Sequence, residues 1–212
     1  MKTKIILLRH GQSVSNLNRV FTGQVDAPLT PLGEKQVKAS AEILSGEKID
    51  AVYSSELIRA KESARPFAKE RNLKIIALSE LNECFFGEWG GKSYDAVREE
   101  YPKEYDIFRN NIGFFRAPNG ESIKDVWERV SKTVDRIVSE NKGKTVLIAT
   151  HGLVIKSLLT LWQNKGLEDM QAESVVSNAS LSFIEHENGC YNVLKKGYDE
   201  HLEEIKTSMP KL

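Results

Sequence analysis

Residues 5–13 read IILLRHGQS, and residues 146–154 read VLIATHGLV. In each, an apolar run of the kind expected for a strand buried on both faces stops at a histidine followed by glycine. Charge set directly after such a strand is costly to bury unless something there uses it. The chain contains four histidines, and two of them, His10 and His151, occupy these matched strand ends. Taken as equivalent core strands, the two stretches frame everything between and beyond them.

Two more strand-like stretches lie between, IDAVYSS (49–55) and LKIIALS (73–79). GQSVSN, after the first histidine, starts a loop or a helix. Thr30-Pro31 reads as an N-cap with proline in the first helical position. Gly33, Val37, Ala41 and Leu44 then share one face of a helix ending near Ser45-Gly46. Ser55 is placed to cap a helix over 56–71, with Pro66 as a kink point. Ser122 with Asp125 reads as a capping box, and Ile123, Val126, Val130, Val134 and Ile137 form the apolar stripe behind it. GLVIKSLLTLW (152–162) is a mostly apolar helix. Asn188-Gly189, inside LSFIEHENGCYNVLKK, signals a hairpin. Periodicity breaks down from about Leu81 to Asn119, in a stretch rich in Gly, Tyr and Phe. Strands alternating with helices predict a three-layer α/β/α fold whose mainly parallel sheet carries one antiparallel edge strand. One domain over 1–212 is expected, with an excursion from its core at about 84–119 and a polar peripheral tail over 199–212.

Composition narrows the function. The chain has 212 residues, with 30 Lys+Arg against 30 Asp+Glu. A formal charge of zero gives no global attraction to nucleic acid or to an anionic membrane, so neither is expected as a partner. No apolar run approaches the roughly 18 residues of a spanning helix. Ile5–Leu8 falls short of the roughly 7–15 apolar residues of a secretory leader, and a cytoplasmic protein is expected. Cys84 and Cys190 form no close-spaced metal pattern and read as free thiols. Oligomeric state is left open.

In open α/β sheets, ligands bind beyond the carboxyl ends of the strands, where strand order reverses. If the two histidine-tipped strands are neighbours, both imidazoles face one crevice. The glycines after them allow close approach of a ligand to the backbone, and the helix starts beyond favour anions. Arg9 adjoins His10, and Arg59 lies one turn into the helix after the second strand. Paired arginines and histidines describe a phosphate site. A neutral imidazole there can serve as a nucleophile, provided its other nitrogen is tied down. The leaving alcohol then needs an acid. Glu80, Glu83 and Glu88 all follow the third strand, and spacing does not choose among them. Each histidine taken singly is more often a satisfied structural residue; the matched pair with arginines points to chemistry.

LLRHGQSVSN, TGQVDAPLTPLG, VYSSELIRAKESA, LNECFFGEWGG, NGES and ATHG, in that order, resemble the signature blocks of the histidine phosphatase superfamily, phosphoglycerate-mutase-like branch. They span residues 5 to about 155. The resemblance implies that His10 accepts the phosphoryl group and that Arg9, Arg59 and His151 hold it. Asn16 and the backbone at Gly152 would assist. It selects Glu83 as the acid and later base, and it places Thr22 and Gly23 against substrate. It implies no metal and no other cofactor. Ser63 stands where the family commonly has Thr. The stretch after Glu83 is shorter than in cofactor-dependent mutases and lacks their basic residues. It is more similar to phosphatase members: broad-specificity, α-ribazole-phosphate and sugar-phosphate phosphatases. The expected function is thus metal-independent hydrolysis of small phosphomonoesters through a phosphohistidine on His10. A phosphoglycerate mutase and a non-catalytic phospho-ligand binder are the alternatives. Glu121 and Ser122 read as parts of a helix start, His186 and His201 as surface residues. The aromatics of 94–115 read as a small core more readily than as a substrate platform. Recognition of the alcohol is expected from 84–119 and from the loop at 20–26.

Overall fold

The computed structural model of the chain describes residues 1–207. Its strands are β1 (Thr3–Arg9), β2 (Ala51–Ser55), β3 (Ile75–Leu78), β4 (Thr145–Thr150), β5 (Leu181–Glu187) and β6 (Cys190–Tyr198). Its helices are α1 (Val14–Leu17), α2 (Pro31–Ile43), α3 (Ile58–Glu70), α4 (Tyr94–Glu100), α5 (Pro102–Asn110), α6 (Ile123–Glu140) and α7 (Gly152–Trp162). The six strands form one sheet in the order β3-β2-β4-β1-β5-β6. The four on the β3 side run parallel. β5 pairs antiparallel with β1, and β6 antiparallel with β5 across the turn at Asn188-Gly189. Both turn residues have positive φ, as a tight hairpin requires.

The alternation of side chains along the strands builds a core on each face. Ile6, Leu8, Val52, Leu147 and Ala149 pack with residues of α2 and α3 on one side. Ile5, Leu7, Tyr53, Val146 and Ile148 pack with residues of α6 and α7 on the other. The stripe expected on α6 is the buried one, and Ser122 and Asp125 close a reciprocal capping box at its start. Between β3 and α6 the chain makes α4, α5 and three short 3-10 turns. Trp89, Phe108 and Phe115 form an aromatic cluster there, with Phe21 packed against it. No helix among the described residues is long and apolar enough to cross a membrane.

The sheet order places the site. β1 and β4 are parallel neighbours in a register that sets Arg9 against Thr150, so His10 and His151 leave the sheet side by side. From β1 the chain passes to β2 on one flank, and from β4 it passes to β5 on the other. The strand order therefore reverses between these two strands, where a crevice is expected.

Gly33 fixes the turn after His10. A Cβ at Gly33 would lie 2.1 Å from the Gln12 carbonyl oxygen, and one at Gly11 would lie 2.5 Å from that of Gly33. The two backbones thus touch, which only glycine allows. Gly33→Ala is expected to destabilise the fold by about 2–3 kcal/mol through overpacking and to lower activity by shifting the Gly11-Gln12 turn. Urea denaturation beside a rate assay checks both.

Two expectations need correction here. The tail is not peripheral as far as residue 207: Leu202 is fully buried. Gln36 donates to the Ile205 carbonyl (2.7 Å) and the Thr207 hydroxyl (2.8 Å) while accepting from the Gln12 amide (2.9 Å). Residues 208–212 of that tail lie outside the described residues. His186 and His201 are half-buried, and His201 Nε2 meets the Ser40 hydroxyl at 2.9 Å.

Candidate active site

A cleft opens at the carboxyl ends of β1 and β4. Its lining includes Arg9, His10, Asn16, Thr22, Gly23, Arg59, Glu83 and Gly152, which sequence reasoning had gathered from five separate stretches. His151 does not reach the cleft wall. It is fully buried behind His10, with ring centroids 5.1 Å apart.

His10 is held at both ends. Its amide donates to the Thr150 carbonyl (3.0 Å), and its carbonyl accepts from the Ala179 amide (3.1 Å). Nδ1 lies 2.7 Å from the Gly11 carbonyl. A carbonyl only accepts, so Nδ1 carries the proton and Nε2 keeps its lone pair. The Gly11 amide donates to Ser63 Oγ (3.0 Å), whose own proton goes to the Arg59 carbonyl (2.7 Å). The serine at position 63 thus pins the loop after His10 to α3.

Burial, then the charges of Arg59 and Arg9, hold His10 well below the ordinary imidazole value. Burial, then Arg59, does the same to His151. Both rings are neutral at pH 7. Unfolding exposes two imidazoles that take up protons below about pH 6.5 while the folded ones do not. Stability is therefore present above that value and lost as pH falls below it. Thermal melts from pH 7.5 to 5 are expected to show the fall, with inorganic phosphate shifting the melts upward.

The arginines come from different elements and converge. Arg9 ends β1, and its guanidinium donates to the Val176 carbonyl. Arg59, in the first turn of α3, donates to the carbonyls of Gly23 (2.7 Å) and Val25 (3.1 Å). Only 5 % and 2 % of these residues is exposed. Burial lowers each guanidinium to about 10, which leaves both cationic at neutral pH. Two buried cations beside a single carboxylate form a positive pocket that an anion would offset.

That carboxylate is Glu83, whose charge acts on both arginines. Its Oε1 accepts from the Cys84 amide (2.9 Å) and its Oε2 from the Leu153 amide at the start of α7 (3.2 Å). Its neighbours are spent elsewhere: Glu80 pairs with Arg136 at 3.3 Å, and Glu88 accepts from the Tyr101 hydroxyl at 2.7 Å. Arg129 brackets the segment, donating to the carbonyls of Glu80 (2.9 Å) and Glu83 (3.1 Å). Arg129 is in turn gripped by Glu121 at 2.7 and 2.9 Å. Glu121 also accepts from the Phe85 amide at 2.8 Å. Ser122 serves the helix start as expected, whereas Glu121 serves the segment carrying Glu83.

Ser55 corrects a sequence expectation. It does not cap α3, which begins at Ile58 with no side-chain cap. Its hydroxyl donates to Asn82 Oδ1 (2.7 Å), an oxygen that also accepts from the Glu56 amide (3.0 Å). With its only proton spent, Ser55 Oγ must accept from His151 Nε2 at 2.8 Å. Neutral His151 is therefore the Nε2–H tautomer, and its buried Nδ1 has no partner among the described residues. Ser55→Ala strands the Nε2 proton and frees the ring. A fall in kcat/KM of about 10–100-fold is expected, because the ring packed against His10 loses the partner that orients it, on the scale of losing an outer partner of a site histidine; Ser55→Thr, which keeps the hydroxyl, is expected to restore it.

Several residues of the site escaped sequence reasoning. Asn178 donates to the His10 carbonyl (3.1 Å) and to Asn16 Oδ1 (3.1 Å). The Ser13 amide donates to the same oxygen at 3.1 Å, so the amide nitrogen of Asn16 is the end left for a ligand. Val175 supplies cleft wall from the same segment. Its sequence, SVVSNAS, reads only as a loop before a strand. Phe86, Tyr94 and Phe108 reach the cleft from the excursion, and Val20 and Phe21 from the loop at 20–26. The aromatics are thus core and cleft wall together.

Known proteins are similar to this chain along nearly its whole length. A mutase of Methanococcus vannielii named 2,3-bisphosphoglycerate-dependent phosphoglycerate mutase is 30 % identical, over 93 % of this chain and 98 % of its own. Phosphoserine phosphatase 1 of Hydrogenobacter thermophilus is 29 % identical, over 95 % of each. The solved structure of YhfR from Bacillus stearothermophilus superposes with a TM-score of 0.91 at 30 % identity, covering 94 % of this chain and 99 % of that one. The model of the histidine phosphatase superfamily (branch 1) matches residues 5–199, from the first core strand through the last, and the chain belongs to that superfamily.

Proposed function

We propose that the protein is a metal-independent phosphomonoesterase that works through a phosphohistidine on His10. The observation that carries this reading is the state of His10: neutral, with Nδ1 tied to a carbonyl and Nε2 free, in a cleft with two buried guanidiniums. The Nε2 lone pair attacks phosphorus while Arg9 and Arg59 meet the charge on the transferring oxygens. Glu83, on the same wall and in its protonated form, gives its proton to the leaving alkoxide as the bond to phosphorus breaks. The resulting Glu83 carboxylate then takes a proton from water. The hydroxide so formed displaces the phosphoryl group from His10 and restores both residues.

Phosphate release from a panel of small phosphomonoesters in the presence of EDTA tests this. Release from several esters is the expected result. A requirement for an added divalent metal would overturn it. The mutase named among the relatives, at 30 % identity, makes 3-phosphoglycerate primed with 2,3-bisphosphoglycerate a necessary member of the panel. Isomerisation without net phosphate release would assign the phosphohistidine to transfer between substrates. A binder without turnover is disfavoured because Arg9, His10, Arg59 and Glu83 all line one cleft.

A further inference from the structure

The chemistry of the cleft beyond the phosphate end points to its alcohol. We infer that the enzyme takes phosphate esters of uncharged, largely apolar alcohols, ring-bearing ones foremost, and turns away esters whose alcohol carries a carboxylate. The inference rests on the phosphomonoesterase reading above and names its substrate class.

Among the described residues, the cationic side chains on the lining are Arg9 and Arg59, and both sit at the phosphate end with His10. Past them, beside the polar Asn16 and Thr22, the wall carries an apolar stretch. Tyr94, Val20 and Val175 are its partly exposed members, so these are the surfaces an alcohol touches. Phe21, Phe108 and Leu153 back them and are buried. Burial pushes the Tyr94 phenol up, so that ring stays neutral. Together they offer an aromatic face and aliphatic edges along one wall of the cleft.

The remaining charged group on the lining is Glu83, an anion when ionised. In its proposed role it sits against the bridging oxygen, next to the first carbons of the alcohol. A carboxylate there would lose its water, gain no cation and face a like charge. Three other cations near the cleft are placed otherwise. Arg19 is exposed and lies over the Tyr94 ring, 6.0 Å from its centroid, off the lining. Lys92 pairs with Glu100 and lies over Tyr101. Arg129 is held by Glu121 and backbone carbonyls. An apolar ring has the opposite balance, because it leaves no polar group unpaired and covers Tyr94 and the valines.

The test compares benzyl phosphate with 3-phosphoglycerate, both esters of primary alcohols, in EDTA and without bisphosphoglycerate. The expected kcat/KM ratio favours benzyl phosphate by about 100-fold or more, the scale of discrimination when a buried polar group lacks its partner. Val20→Lys, which sets a cation on the wall, is expected to narrow that ratio at least about tenfold by raising the rate on 3-phosphoglycerate. A wild-type ratio near one, or reversed, overturns the inference and leaves the phosphatase reading standing. If neither ester nor any other releases phosphate, the phosphatase reading fails, and selectivity is read from binding alone. Titration calorimetry on His10→Ala with the same two esters then decides: tighter benzyl phosphate supports the inference, and equal or tighter 3-phosphoglycerate overturns it.

Discussion

His10→Ala is expected to reduce phosphate release by on the order of 10⁴-fold or more, because removing a nucleophile ends the covalent route altogether. The loss should appear in kcat and not in phosphate affinity. Arg9 and Arg59 are held by the carbonyls of Val176, Gly23 and Val25 and not by the imidazole, so the anion pocket survives the substitution. The His10 ring contributes one local bond, to the next residue's carbonyl, and the backbone bonds at residue 10 are kept. Acid-stable and acid-labile phosphate can be separated after a millisecond quench with labelled substrate. Wild type should carry an acid-labile, alkali-stable phosphoryl group that the variant lacks. A variant retaining more than about a tenth of wild-type turnover would place the nucleophile elsewhere.

Glu83→Gln should have an effect that depends on the ester. With benzyl phosphate the departing alkoxide is strongly basic, and loss of the acid should lower kcat by about 10²–10⁴-fold. With p-nitrophenyl phosphate the leaving group needs no proton, so transfer to His10 should proceed nearly unimpeded. The second half of the cycle needs Glu83 as base and should stall for either ester. A burst of nitrophenolate equal to the enzyme present, followed by slow release, is the expected trace. The substitution is gentle on the fold: glutamine keeps an acceptor oxygen for the Cys84 amide, which meets Oε1 at 2.9 Å, while the contact to the Leu153 amide at 3.2 Å is surrendered. Equal, small losses on both esters with no burst would remove Glu83 from proton transfer.

The strand ends were legible because their signal is local. Four apolar residues, one polar residue, then a histidine and a glycine need no knowledge of the rest of the chain to be read as a buried strand meeting a site. Thr30, Ser122 and the stripe on α6 are local for the same reason, since capping and amphipathicity act within two turns. Ser55 was misread because a hydroxyl ahead of a helix looks alike whether it caps that helix or bonds across the sheet. The partners that decide, Asn82 and His151, lie 27 and 96 residues away. Asn178 was invisible on the same ground, bonding to Asn16 and His10 from 162 and 168 residues away. Among Glu80, Glu83 and Glu88, sequence spacing gave equal claims. Arg136 and Tyr101 engage the outer two, and only folding brings those partners into place.

The central seat of β1 has a consequence for how the molecule is made. Thr3–Arg9 emerges during synthesis well before its sheet neighbours, β4 at 145–150 and β5 at 181–187. At roughly 5–20 residues per second, about 7–30 seconds pass before β4 exists, and IILL has no native edge to pair with in that time. His10 thus leaves the ribosome long before the strands that enclose it. The nascent chain carries an unpaired apolar strand until β4 has emerged, which makes slow, long-range closure and dependence on chaperones the natural weak point of this topology.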